Sequence, residues 1–280
     1  MNYISILNFG RDKLNKSKIS TSILDTEIIL SYVLNISREN LLCNLGKKLN
    51  KNQLKLFKNL IELRAKRMPV AYITNKKEFW KNNFLINKSV LIPRPETELL
   101  VEKILKKIKK NERKNILDIG TGSGCILISI LIERHKCKGT GLDISKSAIN
   151  VAKINAKIQQ VENRITFIHS DIDKFCSNKY DFIVSNPPYI KKLKLNDLNE
   201  DVKKFEPTNA LDGGINGVDI YKKVITKGSK LLKTGGYLIL EIEETYIFEL
   251  TSMLVKKKFF INEILQDLNG DKRCLIATKI

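Results

Sequence analysis

The stretch LDIGTGSG, from Leu117 to Gly124, decides the fold of this chain. It overlaps the apolar run NILDIG, which predicts a strand, and it leads into CILISILIERH, which predicts a helix. Glycines at such a junction let the backbone approach a ligand closely, and the first turn of the helix presents free N–H groups. The stretch therefore predicts a ligand-binding turn of an α/β domain.

The same alternation of strand and helix patterns continues away from this turn. Four further apolar stretches predict strands: GTGLDI, ITFIHS, YDFIVSN and GGYLILEI. Two amphipathic stretches, AINVAKINAKI and YKKVITKGSKLL, predict helices, and the terminal stretches KFFINEILQ and CLIATKI predict a last pair of strands. This order indicates a doubly wound α/β sheet, whose ligands bind at the carboxyl ends of the strands.

The first part of the chain has a different pattern of apolar residues. Apolar residues recur with helical spacing around Ile23 and Ile28 and again around Phe57 and Ile61, with few strand signals. The next stretch, EFWKNNFLINKSVLIP, contains short runs with the pattern of β-strands, and Asn82-Asn83 is its predicted turn. We therefore expect a small helical domain over residues 1–75, a hairpin-like connector over 76–92 and the α/β domain over 93–280.

Length and composition bound the class of protein. The 280 residues suffice for about two domains, and 42% hydrophobic residues supply a buried core. No apolar run reaches the roughly 18 residues of a membrane span, and the start lacks a secretory leader, so we expect a soluble cytoplasmic protein without a membrane partner. Five scattered cysteines without a C-x-x-C pair favour neither disulfides nor a zinc site, so no metal is expected.

The formal charge of +20 raises the question of a nucleic-acid partner, because Lys and Arg that neutralise phosphates supply sequence-independent affinity. Lys greatly outnumbers Arg, however, and Ile and Asn are abundant, as A/T-rich codon usage produces. The basic residues are also spread along the chain instead of forming one patch interleaved with aromatic residues. Their distribution favours a solvated basic surface over a dedicated nucleic-acid face.

The spacing of the glycines discriminates between nucleotide cofactors. A dinucleotide fingerprint reads G-x-G-x-x-G, whereas here the third glycine comes one residue early and Cys125 takes its place. Asp143 ends the next strand, where a carboxylate can accept both hydroxyls of a ribose. These features favour S-adenosylmethionine, with S-adenosylhomocysteine as product, over an ordinary strand-to-helix turn. The predicted cofactor-binding residues are Asp118, Gly120, Thr121, Gly122 and Gly124 for the methionine part, Asp143 for the ribose, Asp171 and Ile172 for the adenine, and Asn186 beside the methyl group.

A second motif, NPPY at Asn186–Tyr189, follows the strand pattern YDFIVS. An amide or exocyclic amino nitrogen is a poor nucleophile, because its lone pair is delocalised, and a site must therefore hold its N–H groups and orient it. The Asn186 side-chain oxygen and the Pro187 carbonyl can accept hydrogen bonds from those N–H groups. Pro188 stiffens the loop, and Tyr189 can pack against the planar amide or amino group. The competing interpretation is a plain proline turn that closes a strand.

With these motifs the chain resembles the class I methyltransferases that modify a glutamine of bacterial peptide-chain release factors at N5. Besides LDIGTGSG and NPPY, the likeness includes PVAYI at residues 69–73, EFW at 78–80, LIPRPETE at 91–98 and FEP at 205–207. It also includes Ala210-Leu211 with Gly213, Gly214 and Gly217, and the stretch DLNGDKR at 267–273. The NPPY motif is shared with enzymes that methylate the amino groups of DNA or RNA bases, but IPRPETE and a helical N-terminal domain are not general there.

The resemblance implies a Rossmann-like, mainly parallel seven-stranded sheet with an antiparallel end strand, preceded by a small all-helical domain. It implies methylation of the Gly-Gly-Gln glutamine in support of translation termination, with Asn186, Pro187 and Tyr189 as catalytic residues. Arg94, Pro95, Thr97 and the NPPY residues, including Pro188, are implied to bind substrate. The expected partner is a release factor, and the resemblance implies that the helical domain over residues 1–75 recognises it while residues 93–280 form the catalytic domain. Nucleic acid is disfavoured as substrate, and a monomer is expected. Two alternatives stay open: a nucleic-acid amino-group methyltransferase, and a binding module that has kept the fold without activity.

Overall fold

The computed structural model describes residues 2–280 and divides the chain into two compact units. The helical unit contains the chain up to Lys76 and a later segment, Asn199–Phe205. The sheet unit contains Lys77–Leu198 and Glu206–Ile280. The sequence pattern assigns residues 199–205 to the α/β domain, whereas their contacts lie with the helices. The division into a recognition domain and a catalytic domain stays a prediction.

The helical unit is built on amphipathic helices with defined starts. Its first five helices are α1 (Tyr3–Lys16), α2 (Ser22–Leu34), α3 (Arg38–Leu42), α4 (Lys51–Ala65) and α5 (Val70–Thr74). Asn50 and Gln53 form a capping box that satisfies free backbone N–H groups at the start of α4. Phe57 and Ile61 of α4 are fully buried in the core of this unit, as their helical spacing predicts.

Arg64 ties the later segment to these helices. Its Nε donates to Asp25 at 2.6 Å, and its Nη1 donates to Asp201 at 2.7 Å. The side chains of Arg64 and Asp25 are 7% and 8% exposed, so this ion pair is screened little by water. A guanidinium presents donors in several directions, which lets one arginine hold two carboxylates. The contact explains why residues 199–205 pack with the helical unit.

The predicted hairpin exists, but its turn lies elsewhere than the sequence suggests. Strand β1 (Lys76–Phe79) and strand β2 (Asn82–Leu85) are joined by Trp80 and Lys81, whose φ angles are 48° and 65°. The prediction of a turn at Asn82-Asn83 is therefore wrong, since both asparagines lie in β2. Asn82 acts on the turn through its side chain, which donates from Nδ2 to the Trp80 carbonyl at 2.8 Å. Two consecutive residues in the left-handed region match the right-handed twist of a hairpin.

A seven-stranded sheet forms the centre of the sheet unit, in the order β5-β4-β3-β6-β7-β9-β8. The strands are β3 (Asn115–Ile119), β4 (Lys138–Asp143), β5 (Ile165–His169), β6 (Tyr180–Ser185), β7 (Leu232–Glu241), β8 (Phe259–Gln266) and β9 (Lys272–Lys279). The β5-β4-β3-β6-β7 ladder is parallel, and β9 is antiparallel to both β7 and β8. This confirms the predicted fold class.

Helices cover this sheet and place its loops. After α5 the chain forms α6 (Glu98–Lys107), α7 (Cys125–Glu133), α8 (Lys146–Ile158), α9 (Glu200–Phe205), α10 (Asp219–Leu231) and α11 (Ile247–Lys256), of which α9 belongs to the helical unit. Strand β3 pairs with β4 on one side and β6 on the other, so the chain direction through the sheet reverses beside β3. The loops after β3, β4 and β6 therefore share one edge, where ligands of such sheets bind.

Between residues 2 and 280, no helix combines the length and apolar character that crossing a membrane requires.

Candidate functional site

The glycine loop after β3 adopts a conformation that only glycine enters without strain. Gly120, Gly122 and Gly124 have φ angles of 74°, 55° and 81°. The backbone N–H of Gly120 donates to the Leu142 carbonyl at 2.8 Å, which holds the loop against β4. A Cβ on Gly124 would lie 2.8 Å from Ile128 Cδ1, so the first turn of α7 also needs a glycine before it. The sequence thus builds a side-chain-free surface at the end of β3.

Asp118 supports this loop from below. Its Oδ2 accepts a hydrogen bond from Thr121 Oγ1 at 2.7 Å, and the residue is fully buried. Burial raises the pKa of Asp118 to about 7, against the lowering effect of the Thr121 hydrogen bond. Asp118 and Thr121 are not among the residues that line the adjacent cavity. In this arrangement they shape the loop, and direct contact of Asp118 with a cofactor stays a prediction.

Asp143 stands at the end of β4 and faces the same loop. Its Oδ2 accepts the Gly122 N–H at 2.9 Å, and its Oδ1 accepts the Ser145 N–H at 2.8 Å. Burial raises its pKa, while these two backbone hydrogen bonds lower it. A carboxylate has about four acceptor positions, so two remain for a ligand such as a ribose diol.

A cavity of about 220 Å³ opens at this edge of the sheet. Much of its wall is apolar, and its lining includes Gly120, Gly122, Leu142, Asp143, Ile144, Asp171, Ile172, Asn186, Pro188 and Pro207. Apolar walls with two carboxylates at strand ends suit a nucleoside, whose flat base is apolar and whose ribose donates hydrogen bonds. Six of the predicted cofactor residues thus meet here: Gly120, Gly122, Asp143, Asp171, Ile172 and Asn186. Asp118, Thr121 and Gly124 lie outside the lining.

The NPPY segment begins directly after β6. Ser185, the last residue of that strand, donates from Oγ to the Ile119 carbonyl at 2.7 Å and thereby couples β6 to the start of the glycine loop. Asn186 and Pro188 line the cavity, whereas Pro187 and Tyr189 do not. Burial raises the pKa of Tyr189 to about 12, so its hydroxyl stays protonated. The two sequence motifs therefore meet at one cavity.

Glycines further along the chain pack behind Tyr189. A Cβ on Gly213 would lie 2.7 Å from Tyr189 Cα, and one on Gly217 would lie 2.7 Å from the Tyr189 carbonyl oxygen. Gly217 has a φ angle of 79°. Ile190 continues the contact, since its N–H donates to the Leu211 carbonyl at 3.1 Å and its carbonyl accepts from Gly213 at 2.9 Å. These glycine contacts and hydrogen bonds fix the path of the NPPY backbone.

Arg94 and Pro95 lie beside this region without lining the cavity. Arg94 Nη2 donates to Glu206 Oε1 at 2.6 Å, and the Glu206 carboxylate also accepts the Ile92 N–H at 3.3 Å. This pair joins the IPRPETE stretch to the FEP stretch, whose Pro207 lines the cavity. Pro95 begins a single 3-10 turn that precedes α6. Substrate contacts by Arg94 and Pro95 stay predictions.

Thr97 is buried and connects Asn186 to a residue that the sequence analysis missed. Its hydroxyl donates to Glu241 Oε2 at 2.6 Å and accepts from Asn186 Nδ2 at 3.2 Å. Glu241 ends β7 and is 3% exposed, and burial raises its pKa to about 7. The sequence feature that could have identified Glu241 is an acidic residue at the end of an apolar strand, the same feature that identified Asp143. Among residues 2–280, no cluster of three or more His, Cys, Asp or Glu could hold a metal ion.

Comparisons with known proteins agree with this architecture. The family model of the methyltransferase small domain matches residues 95–202, and that of the PrmC N-terminal domain matches residues 5–74. A solved methyltransferase from Pyrococcus furiosus superposes with a TM-score of 0.53 at 18% identity, covering 70% of this chain and 88% of that one. Fold and site together define the class I methyltransferase type.

A sequence relative that matches most of the chain identifies the family. The release factor glutamine methyltransferase of Clostridium acetobutylicum is 38% identical over 258 residues, which are 91% of this chain and 90% of that protein. The chain belongs to the release factor glutamine methyltransferase family. The bifunctional methyltransferase of Rickettsia felis is 36% identical over 303 residues, covering 98% of this chain. The chain spans 58% of the length of that relative.

Proposed function

We propose that the cavity beside the glycine loop binds S-adenosylmethionine. Gly120 and Gly122 offer a floor without side chains, and Asp143 keeps acceptor positions for the ribose hydroxyls. Asp171 and Ile172 line the part of the cavity assigned to the adenine. When bound, the cofactor supplies an electrophilic methyl group on a sulfonium. No metal takes part in this proposal.

The proposed acceptor is the N5 amide of the glutamine in the Gly-Gly-Gln loop of a peptide chain release factor. One observation carries this proposal: Asn186 borders the cavity while its Nδ2 donates a hydrogen bond to Oγ1 of the buried Thr97 at 3.2 Å. Its Oδ1 is then available to accept an N–H of a substrate amide. The Pro187 carbonyl is the proposed second acceptor, and Tyr189 the wall against which the flat amide rests.

The proposed reaction is a direct transfer in which a C–N bond forms as the S–CH3 bond of the sulfonium breaks. An amide nitrogen reacts only when it is oriented, because its lone pair is shared with the carbonyl. Asn186 and Pro187 supply this orientation by holding the two N–H groups, and no covalent bond to the protein forms. The nitrogen loses one proton as it becomes alkylated, and solvent receives that proton from the acceptor oxygens. Positioning and fixed dipoles account for the catalysis.

Contacts with the protein substrate form the next part of the proposal. We infer that the helical unit helps to bind the release factor and that Arg94 and Pro95 border the entrance for the glutamine, with Thr97 acting beneath them. Methylation of this glutamine would support translation termination and would take place in the cytoplasm. A monomer suffices for this function, because the residues assigned to it come from one chain.

A labelled-methyl assay tests the proposal against its alternative. Purified chain and cofactor with a tritiated methyl group are incubated with a release factor from cells that lack this modification. A release factor with alanine in place of the Gly-Gly-Gln glutamine is the control, and DNA and ribosomal RNA are added in parallel. The charge of +20 favours a nucleic-acid methyltransferase as the second candidate.

We expect label in the release factor and none in its alanine variant. Label in the nucleic acids alone would support the second candidate. Label in both release factors would place the modification on another residue. The absence of any transfer would contradict enzymatic activity and support a binding module.

A further inference from the structure

Three side chains in the sheet unit form a hydrogen-bonded series beneath the cavity. Thr97 donates its hydroxyl proton to Glu241 Oε2 at 2.6 Å. The same hydroxyl oxygen accepts from Asn186 Nδ2 at 3.2 Å. The Asn186 side chain also lies near enough to Glu241 to lower the pKa of that carboxyl. The Asn186 NH2 group thus donates to an interior partner, Thr97, and lies near a second acceptor, Glu241.

The direction of this series follows from the donor and acceptor inventory. The Glu241 carboxyl ionises as the pH rises through about 7. Once ionised it only accepts hydrogen bonds, and a threonine hydroxyl has one proton to donate. Because Thr97 gives its proton to Glu241, it can only accept from its other neighbour. Asn186 must then present its NH2 group inward, and its Oδ1 faces away from Thr97 and Glu241. Asn186 borders the cavity, so an acceptor is available on that side.

Packing alone does not account for a carboxyl group at position 241. Its chain neighbours, Leu240 in β7 and Ile242 directly after the strand, are fully buried, and Glu241 itself is 3% exposed. Burying a carboxyl group in such surroundings is unfavourable unless hydrogen bonds satisfy it. Thr97, Asn186 and the positive charge of Arg273 supply the favourable interactions here. Strand positions of this kind ordinarily carry apolar residues, and a costly polar group in them indicates a function.

We propose that Glu241 is a positioning residue that, with Thr97, fixes the side-chain amide of Asn186 so that its oxygen faces the acceptor amide of the substrate. This rests on the proposed function, in which Asn186 Oδ1 accepts an N–H of the glutamine. Without the carboxylate, the Asn186 amide can rotate by half a turn. An NH2 group would then face the NH2 group of the substrate, which repels it.

Two substitutions test the kinetic side of this proposal. Glu241→Gln keeps the shape of the side chain and replaces a carboxylate, which only accepts hydrogen bonds, with an amide that also donates them. We expect kcat for methyl transfer to fall by about tenfold or more while cofactor affinity is retained, because the lost contact orients a group that acts in the transition state. Glu263→Gln is the matched control, since this glutamate is half-exposed on β8 and pairs with Lys103 and Lys107.

Substitutions of Thr97 test the same role independently and keep the proposal testable if Glu241→Gln does not fold. Thr97→Val keeps the shape and removes the hydroxyl, whereas Thr97→Ser keeps the hydroxyl. We expect Thr97→Ser to retain much more of kcat than Thr97→Val. A role in packing alone predicts the opposite order, because valine preserves the buried volume better than serine does.

A spectroscopic measurement decides the orientation without any substrate. Full-length chain with 15N-labelled asparagine shows side-chain NH2 signals, and the Asn186 signal is the one that disappears in Asn186→Asp. We expect nuclear Overhauser contacts from this NH2 group to the Thr97 methyl group in the wild type and in Glu263→Gln. We expect these contacts to weaken in Glu241→Gln.

The outcomes separate this proposal from the proposed function. Weakened contacts together with a lower kcat in Glu241→Gln support it. Unchanged contacts overturn it, whether or not kcat falls, and so does an unchanged kcat. If the wild type transfers no methyl group to a release factor, the proposed function fails, while the spectroscopic comparison still decides whether Glu241 orients Asn186.

Discussion

Asp143 accepts the backbone N–H of Gly122 at 2.9 Å, which joins the end of β4 to the glycine loop after β3. The contact fixes a carboxylate beside a surface without side chains. Ser145 donates a second backbone hydrogen bond to the same carboxylate at 2.8 Å, so its orientation is set before a ligand binds. Preorganisation of this kind lowers the entropic cost of binding.

The first prediction concerns Asp143→Ala. We expect S-adenosylmethionine affinity to fall by about 10- to 100-fold, because a hydrogen bond to a charged group contributes ~1.5–3 kcal/mol. Isothermal titration calorimetry measures the affinity for S-adenosylmethionine. Asp12→Ala is the control, since Asp12 is exposed on α1. Equal affinity of Asp143→Ala and wild type would show that the ribose assignment is wrong.

The second prediction concerns the ion pairs of Arg64 in the helical unit. Arg64→Ala leaves Asp25 buried without its partner, so we expect a loss of about 3–5 kcal/mol in the free energy of unfolding. Lys13→Ala removes an exposed pair with Glu62 and should cost about 1 kcal/mol or less. Urea denaturation followed by circular dichroism compares the two. Similar losses would contradict the structural role of Arg64.

The third prediction concerns the pH dependence of stability through Glu241. Burial raises its pKa from 4.5 to about 7, so the folded state binds its proton more tightly than the unfolded state does. This contribution to the free energy of unfolding is fully present below the unfolded pKa, and it is lost as pH rises to about 7. The loss is on the order of 1 kcal/mol per unit of pKa difference.

The measurement compares wild type with Glu241→Gln, which cannot ionise. We expect the stability difference, wild type minus variant, to decrease as pH rises from about 4.5 to 7 and to level off above. A difference that is constant or increases with pH would contradict the raised pKa. The groups that face Glu241 and contribute to or sense its charge are Glu96, Cys125, Tyr189, Tyr221, Arg273 and Cys274.

Local sequence patterns predict the sheet well, because their signals are short-range. Strand β3 and the loop after it are recognisable from an apolar run followed by glycines that must take positive φ angles. The same holds for Asp143, which ends β4 at the position that a strand-end carboxylate requires. The predicted cavity residues meet because parallel strands end at one edge.

Features that depend on tertiary contacts escaped prediction. The turn of the β1–β2 hairpin lies at Trp80 and Lys81, and neither residue type favours the left-handed region, so composition points to the neighbouring asparagines instead. Glu241 contacts Thr97 across 144 positions of sequence, and no local pattern reports such a distance. The packing of residues 199–205 with the helical unit rests on the contact between Arg64 and Asp201, which spans 137 positions of sequence.

The central claim is that Asn186 holds and orients the acceptor amide, and the single-turnover rate of Asn186→Ala tests it most directly. Enzyme in excess over unmodified release factor is saturated with labelled cofactor, so that each release factor is methylated in one turnover, and calorimetry verifies cofactor binding separately. We predict a rate about 100-fold or more below wild type, equivalent to ~3 kcal/mol, with nearly unchanged cofactor affinity. A wild-type rate in Asn186→Ala would contradict the account.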